Sequence, residues 1–328
     1  MKLGIFSFAH MHAYSYAEVL QQVAGVELAV VADEHEARGQ EAAARFGARY
    51  VRDYQEALKT DLDAVIVCSE NAKHAEMAIA AADAGKHVLC EKPIATSVED
   101  AWRMVNGCEK NGVKLQTAFP IRYSTPVRHV KRQIDGGEIG QILALNGTNR
   151  GQNPGGWFVD NTLSGGGAVL DHTVHVIDIM RWYTGSEVRE VYAEIGTRFS
   201  NTPTDDCGLL TLEFANGVIA SHDPSWSRPK TFPTWGDVTL KVVGTQGVVK
   251  VDAFAQHSTY YNDQSGRVNY LGWGNNADLQ LVAGFIDSIR RDQEPLATGL
   301  DGLRAMEVAL AAYESARTGK PVRIQSAN

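Results

Sequence analysis

The stretch KLGIFSFAHMHAYSYAEVLQQV, residues 2–23, decides the fold class because it joins an apolar run to a helical pattern. Lys2–Phe8 has the composition of a buried strand, and His12–Val23 carries apolar residues at helical spacing. Similar apolar runs follow at Val26–Ala32, Ala64–Cys68, Lys86–Cys90 and Val113–Ala118, separated by helical patterns at Glu34–Phe46, Ala72–Ala84 and Ser97–Asn111. Alternating strands and helices with short connections require right-handed crossovers, so this region predicts a doubly wound parallel α/β sheet of the Rossmann type.

The pattern changes after about residue 120. Helices are expected at Thr125–Ile134, Ala168–Tyr183, Ala277–Arg291 and Asp301–Thr318, and strands at Gln141–Asn149, Val188–Ile195, Gly208–Phe214, Val218–His222, Val238–Val243 and Val248–Val251. Asn216-Gly217 predicts a hairpin turn of the primed type. Strands joined by hairpins give a large, mainly antiparallel open sheet, so we expect an α+β domain over 120–328 after the α/β domain over 1–119.

The composition excludes several classes of protein. A formal net charge of -8 and a pI near 5.7 argue against binding nucleic acid or anionic lipid. The first residues do not form a signal peptide, and no apolar run approaches the ~18 residues that span a bilayer. The four cysteines, Cys68, Cys90, Cys108 and Cys207, have no CxxC spacing. We therefore expect reduced thiols, a cytoplasmic protein and no metal site.

The turn after the first strand is where a parallel sheet of this kind binds a pyrophosphate. A GxGxxG fingerprint would fall on Ser7, Ala9 and His12, and all three glycines are absent. Small residues at the first two positions still permit close backbone approach. Residues 9–12 could seat a phosphate through backbone N–H groups with a histidine as an added donor. The competing interpretation is that His10 or His12 stacks against neighbouring side chains, or that the turn binds no ligand.

Asp33 ends the second apolar run, close to the ~20 residues from Ser7 at which an acid binds the adenosine ribose. An acid there repels a 2′-phosphate, which predicts NAD rather than NADP. The alternative is a solvated turn residue. Polar side chains of residues 69–71, after the strand Ala64–Cys68, are expected to face the same crevice.

Two further elements carry chemistry. Glu91-Lys92-Pro93 follows a strand at its carboxyl end, and Gly165–Gly167 opens a helix that carries Asp171 and His175. Residues four apart project from the same helical face, where a carboxylate can orient an imidazole that acts as a base near pH 7. The alternatives are a solvated surface lysine and a buried Asp–His pair that only stabilises the helix.

In order and spacing, several motifs resemble the glucose–fructose oxidoreductase / inositol dehydrogenase / MocA family. These are Gly85–Pro93, Gly165–Gly167, Asp171 with His175, Ile177-Asp178, His74 before an alanine-rich helix, Phe119–Arg122, Gly137–Ile142 and Gly244–Val248. The resemblance covers residues 2 to about 325. It implies a Rossmann domain, an α+β domain whose open sheet forms a homodimer or homotetramer, and a pocket around the nicotinamide lined by Lys92, Asp171 and His175. The expected cofactor contacts are Ser7, Ala9, His10, Met11, His12, Asp33, Ser69, Glu70, Asn71, His74, Glu91 and Lys92.

The function expected from these residues is NAD-dependent transfer of hydride, with His175 as general base, Asp171 orienting it and Lys92 stabilising the developing alkoxide. The resemblance implies a sugar, polyol or cyclitol substrate. Expected substrate contacts are Lys92, Arg122, Tyr123, Asn153, Trp157, Asp171 and His175; aromatic residues can stack on sugar rings but are also ordinary core residues. Two alternatives are an enzyme that uses NAD in a net non-redox reaction and a catalytically silent nucleotide-binding regulator.

Overall fold

The computed structural model describes residues 1–264 and 266–324, which form two compact units. The first unit contains residues 1–120, 156–166 and 278–307, and the second contains 121–155, 167–277 and the chain from Val308. The chain thus returns twice to its first unit, at 156–166 and at 278–307. A single boundary between residues 119 and 120 does not describe these returns. The division into domains over 1–119 and 120–328 stays a prediction, and its last four residues lie outside the described part of the chain.

The first unit is built on a six-stranded parallel sheet. Its strands are β1 (Lys2–Phe6), β2 (Glu27–Ala32), β3 (Arg49–Val51), β4 (Ala64–Val67), β5 (His87–Cys90) and β6 (Leu115–Thr117). They are arranged in the order β3-β2-β1-β4-β5-β6, and every neighbouring pair is parallel. The order reverses between β1 and β4, so the crevice of this sheet opens at their carboxyl ends. The predicted doubly wound Rossmann sheet is confirmed.

Five helices connect these strands: α1 (His12–Leu20), α2 (Glu36–Phe46), α3 (Tyr54–Leu58), α4 (His74–Asp83) and α5 (Val98–Lys110). The Ser97 side chain accepts a hydrogen bond from Asp100 N and caps α5, as its residue type favours. The sequence analysis missed β3 and α3, because three and five residues are too few to show a period.

The second unit contains a seven-stranded mixed sheet and a separate two-stranded ribbon. The strands are β7 (Ile142–Gly151), β8 (Val188–Gly196), β9 (Cys207–Phe214), β10 (Ile219–Ser225), β11 (Gly236–Gly244), β12 (Val248–Asp252), β13 (His257–Asn262), β14 (Arg267–Gly272) and β15 (Val322–Arg323). The sheet order is β12-β11-β7-β10-β9-β8-β15, with β7 and β10 parallel and the other neighbours antiparallel. The predicted mainly antiparallel sheet is confirmed.

The remaining helices are α6 (Thr125–Asp135), α7 (Asn161–Ser164), α8 (Ala168–Thr184), α9 (Ala277–Arg290) and α10 (Gly299–Thr318). Helix α8 is almost wholly buried and packs against β7 and β10. Gly147 on β7 permits this approach, because a Cβ there would lie 2.5 Å from Val176 Cγ1. Across the described residues, 1–264 and 266–324, no helix has both the length and the hydropathy needed to cross a bilayer.

The turn between β9 and β10 differs from the predicted primed hairpin. Gly217 has a φ of 85°, whereas Asn216 does not have a positive φ. Gly217 N donates to Phe214 O, and Phe214 N donates to Val218 O. This is a three-residue loop made of a type I turn and a glycine bulge. A primed turn of type I′ requires a positive φ at both Asn216 and Gly217, and only Gly217 has one.

Candidate active site

The turn after β1 keeps the geometry of a fingerprint loop without its glycines. Ser7 has a φ of 67°, in the left-handed region that a glycine normally occupies. Its Oγ accepts hydrogen bonds from Ala9 N at 3.1 Å and from Arg38 Nη2 at 3.3 Å. These two hydrogen bonds stabilise the strained backbone conformation of Ser7. Met11, at the start of α1, is about half exposed.

Asp33, after β2, lies at the centre of a network that the sequence analysis did not foresee. Its Oδ2 accepts from Phe8 N and Arg38 Nε, both at 2.8 Å. Its Oδ1 accepts from His35 N at 2.9 Å and Arg38 Nη2 at 2.8 Å. Asp33 is therefore a buried, paired carboxylate and not a solvated turn residue. Arg38, in the first turn of α2, gave no signal of its own in the sequence.

A cavity of about 370 Å³ opens beside Asp33 at the carboxyl ends of the strands. It is lined by Ser7, Ala32, Asp33, Glu34, Arg52, Asp53, Tyr54, Glu70, Lys73, Glu76 and Met77. Lys73 forms ion pairs with Glu34 and Glu70. The lining contains five carboxylates and two cations. The excess of negative charge disfavours the binding of an anionic group in this cavity.

A second network joins the turn to the residues after β5. Glu91 is fully buried, with its Oε1 2.5 Å from Tyr16 Oη and 3.0 Å from His12 Nδ1. His10 Nε2 lies 3.9 Å from Glu91 Oε2. Burial alone would raise the pKa of Glu91, but His10, His12 and Lys92 outweigh it and hold that pKa well below its usual range. In turn, against the opposing effect of burial, Glu91 raises the pKa of His12.

One ligand atom from each of His10, His12 and Glu91 lies within 4.8 Å of the others, a spacing that a metal ion could use. The hydrogen bonds favour another interpretation. His12 N donates to His10 Nδ1 at 3.2 Å, so the proton of a neutral His10 is on Nε2, the atom that faces Glu91. A ligating nitrogen must offer a lone pair instead. We therefore interpret the cluster as proton donors around a carboxylate, and the absence of a metal site stays a prediction.

Trp157 belongs to the first unit, although the sequence analysis grouped it with the substrate contacts of the second domain. Its Nε1 donates to Ala9 O at 3.1 Å, and its ring stacks on Phe158 at 3.9 Å. The Phe158 ring meets His10 edge to face, 5.4 Å away. His10 thus packs against neighbouring rings, as the competing interpretation of this turn supposed, and Trp157 contacts the turn after β1.

The polar residues after β4 have different surroundings. Glu70 lines the cavity beside Asp33, whereas Ser69 and His74 are fully buried. Both ring nitrogens of His74 face backbone carbonyls, Pro93 O at 2.9 Å and Ser69 O at 3.2 Å, and burial lowers the His74 pKa. Asn71 Nδ2 donates to Ser164 O at 2.8 Å, while its buried Oδ1 has no hydrogen-bond partner among the described residues. Ser69 and His74 thus hold the loops together and offer no open surface for a direct cofactor contact.

Lys92 is the second residue after β5 and is 5% exposed. Its backbone N donates to Glu91 Oε2 at 3.1 Å, so the neighbouring carboxylate fixes the chain at this point. Glu91 itself is engaged with Tyr16, His12 and the Lys92 backbone. These donors hold Glu91 as a fully buried carboxylate, and its cofactor contact stays a prediction.

Asp171 and His175 lie one turn apart on α8 in the second unit, each 9% exposed. Asp171 Oδ2 accepts from Trp226 Nε1 at 3.2 Å and lies 3.3 Å from His172 Nε2. The other ring nitrogen of His172 lies 2.8 Å from Asn149 O. Trp226 therefore donates to Asp171 and His172 contacts the same carboxylate oxygen, two neighbours that the sequence analysis did not predict. Trp226 could not be paired with it from sequence, because 55 residues separate them.

The first turn of α8 is capped by residues far along the chain. Asp205 accepts from Gly167 N and Val169 N through its two carboxylate oxygens, at 2.9 and 2.8 Å. Tyr313 Oη accepts from Gly167 N at 3.0 Å and Leu170 N at 3.2 Å. A Cβ on Gly167 would lie 2.0 Å from Asp205 O, which explains the glycine. These bonds fix the start of the helix that carries Asp171 and His175.

Three expected substrate contacts have other partners. Arg122 donates from Nε and Nη2 to the two carboxylate oxygens of Asp178, at 2.7 Å each, and both side chains are buried. A buried guanidinium requires such a partner, so this arginine is committed to an ion pair. Tyr123 is 4% exposed, and its carbonyl oxygen accepts from Asn275. Asn153 is exposed, and its Oδ1 closes a turn by accepting from Gly155 N at 2.9 Å.

Comparisons with known proteins agree with this architecture. Residues 3–119 match the model of the oxidoreductase family with an NAD-binding Rossmann fold, and residues 127–250 match the GFO/IDH/MocA C-terminal domain. The chain is 32% identical over 284 residues to the uncharacterized oxidoreductase YrbE of Bacillus subtilis, covering 83% of this chain and 82% of that one. It is 27% identical over 337 residues to myo-inositol 2-dehydrogenase of Thermotoga maritima, covering 99% of each.

Among solved structures, GenD2 from gentamicin A biosynthesis, crystallised with NAD, has a TM-score of 0.91 at 26% identity. The match covers 99% of this chain and 97% of that one. Two adjacent family models together span most of the chain, in the order in which the parallel sheet and the mixed sheet occur. The chain therefore belongs to the GFO/IDH/MocA family, and it is an NAD-binding, NAD(P)-dependent oxidoreductase.

Proposed function

We propose that this protein oxidises a secondary alcohol of a sugar, polyol or cyclitol, or reduces the corresponding carbonyl, with NAD as its cofactor. The single observation that carries the proposal is the pair Asp171 and His175, one turn apart on a buried helix whose first turn is fixed by Asp205 and Tyr313. The name of the Thermotoga maritima relative, myo-inositol 2-dehydrogenase, supports a cyclitol or sugar as the substrate class.

The residues of the first unit fit a dinucleotide. The cavity beside Asp33 has a volume of about 370 Å³ and adjoins the left-handed turn at Ser7. Asn71 Oδ1, buried at the end of β4 without a hydrogen-bond partner among described residues, is free to accept from a ligand hydroxyl or amide. Ser7 to His12, Asp33 and Asn71 would hold the cofactor, and the bound nicotinamide would supply the hydride acceptor.

Side chains of the protein would accept the proton that the substrate hydroxyl loses. His175 would accept the substrate hydroxyl proton as the C–H bond breaks, and Asp171 would favour the imidazolium that forms. Asp171 can hold a fixed orientation, because Trp226 and His172 both contact its Oδ2. Lys92 would donate a hydrogen bond to the same substrate oxygen and stabilise its developing negative charge.

A panel of cyclitols, polyols and aldoses, assayed with NAD and NADP in parallel at mildly alkaline pH, tests the function. We expect accumulation of reduced coenzyme with at least one cyclitol or sugar. Product formation without reduced coenzyme would favour a net non-redox reaction instead. NAD binding with no turnover of any compound in the panel would favour the silent regulator and contradict the proposal.

We further propose that the protein self-associates through the face of the mixed sheet that α8 does not cover. Leu209 and Ile219, on neighbouring strands of this face, are 58% and 59% exposed, and large apolar side chains exposed to this extent suit a subunit contact. Ile219→Lys should shift the oligomer toward monomer in light scattering, whereas Lys110→Glu, exposed at the end of α5 in the first unit, should not. The four free thiols suit the cytoplasmic location that the sequence analysis expects.

A further inference from the structure

The Asp33 carboxylate has no free acceptor position in this structure. A carboxylate offers about four lone-pair sites, and Asp33 receives four hydrogen bonds, from Phe8 N, His35 N and two nitrogens of Arg38. An adenosine ribose that binds Asp33 through a hydroxyl must therefore displace one of these donors.

Only one of the donors can leave without moving the backbone. Phe8 N and His35 N belong to the loops that follow β1 and β2, so releasing them would distort both loops. Arg38 contributes a side chain that is 26% exposed, and its one other hydrogen bond is the longer contact to Ser7 Oγ, at 3.3 Å. The guanidinium is therefore the group that the ribose would displace.

We propose that Arg38 determines the choice between NAD and NADP. With NAD, the ribose hydroxyls compete with Arg38 for Asp33. With NADP, a displaced guanidinium can form a charge-assisted hydrogen bond to the 2′-phosphate, which an unpaired Asp33 would repel. This inference rests on the cofactor placement proposed above, and it predicts that removing Arg38 improves NAD binding while it impairs NADP binding.

Neither of the two cations that line the cavity, Lys73 and Arg52, is paired with Asp33 as Arg38 is. Lys73 is already paired with Glu34 and Glu70, so its charge is largely neutralised. Arg52 also lines the cavity and has no hydrogen bond or ion pair to any residue in the described ranges. Arg52 thus carries the same charge as Arg38 and lines the cavity beside Asp33 without contacting that carboxylate, which makes it a control.

The test is a titration of wild type, Arg38→Met and Arg52→Met with NADH and NADPH, followed by coenzyme fluorescence. ADP-ribose and its 2′-phosphate, which lack the nicotinamide, are titrated by calorimetry to confine the effect to the adenosine half. We expect Arg38→Met to bind NADH about three- to tenfold more tightly, because a partly exposed ion pair no longer competes. NADPH should bind at least about tenfold more weakly, because a charge-assisted contact is lost.

Arg52→Met should weaken NADPH binding without any gain for NADH. Arg38→Gln retains an N–H donor for Asp33 and should shift the ratio of NADH to NADPH affinity in the same direction by less. This variant replaces Arg38→Met in the test if Arg38→Met does not fold. Unchanged selectivity in a folded Arg38 variant, or a loss of NADH affinity, would overturn the inference alone. If neither coenzyme binds wild type, the proposed function fails as well.

Discussion

Trp157 Nε1 donates a hydrogen bond to the carbonyl oxygen of Ala9, 3.1 Å away, and so ties a segment that follows β7 to the turn that follows β1. Ala9 is the second fingerprint position, where a glycine is missing. This hydrogen bond and the stacked rings of Trp157 and Phe158 stabilise the conformation of the turn. In this protein a side chain from 148 residues away thus contributes to the shape of the turn that we propose to bind the cofactor.

Trp157→Phe should weaken NADH binding about threefold to tenfold, because it removes one hydrogen bond to the turn while keeping the aromatic stack. Without this bond the turn would be less ordered before NADH binds, and ordering it would reduce the free energy of binding. Fluorescence titration measures the change, and Trp102→Phe, on α5, is the control. Equal affinities of Trp157→Phe and wild type would show that the turn does not depend on this bond.

The His12–Glu91 pair predicts a pH dependence of stability. The pKa of His12 is raised above its ordinary 6.5, so the pair stabilises the fold fully below pH 6.5, and part of this is lost as pH rises through the raised value. The pKa of Glu91 lies well below 4.5, so its contribution is present above pH 4.5 and is lost only in acid. His12→Gln should therefore be destabilised by about 1 kcal/mol near pH 6, and by less in alkali.

Chemical denaturation of both proteins at several pH values measures this difference. His129→Gln, at an exposed position on α6, is the control and should give a small, flat difference. A penalty for His12→Gln that grows as pH rises would contradict the assignment of His12 as the cationic partner.

His175→Ala should lower kcat by about 10²–10⁴-fold, because it removes the proposed general base. The affinity for NADH should change little, since His175 lies on α8 in the second unit and the residues proposed to hold the cofactor lie in the first. Steady-state kinetics and coenzyme titration separate the two effects, with His129→Ala as control. Normal turnover by His175→Ala would remove the residue from the mechanism.

Tyr313→Phe should destabilise the protein by about 1–3 kcal/mol, because the N–H groups of Gly167 and Leu170 lose a buried acceptor. It should also lower kcat, since the first turn of α8 carries Asp171. Urea denaturation gives the stability change, and Tyr261→Phe, 73% exposed, is the control. Equal stability of the two variants would mean that Asp205 alone caps the helix.

The sequence by itself determined the features that have a local period or a local spacing. The alternating runs predicted the parallel sheet, and Asp33 was correctly located at the end of a strand. Asp171 and His175 were correctly placed on one helix, because a separation of four residues is a property of the helix itself.

Only the tertiary structure decided which partner each of these groups has. Arg38 saturates Asp33, Trp226 orients Asp171, and Trp157 lies in the first unit against Ala9. No periodic pattern encodes these contacts, because they depend on strand order and on where the chain returns to an earlier unit. The physical reason is that buried charges and polar groups must find donors or acceptors wherever the fold supplies them, however distant in the chain.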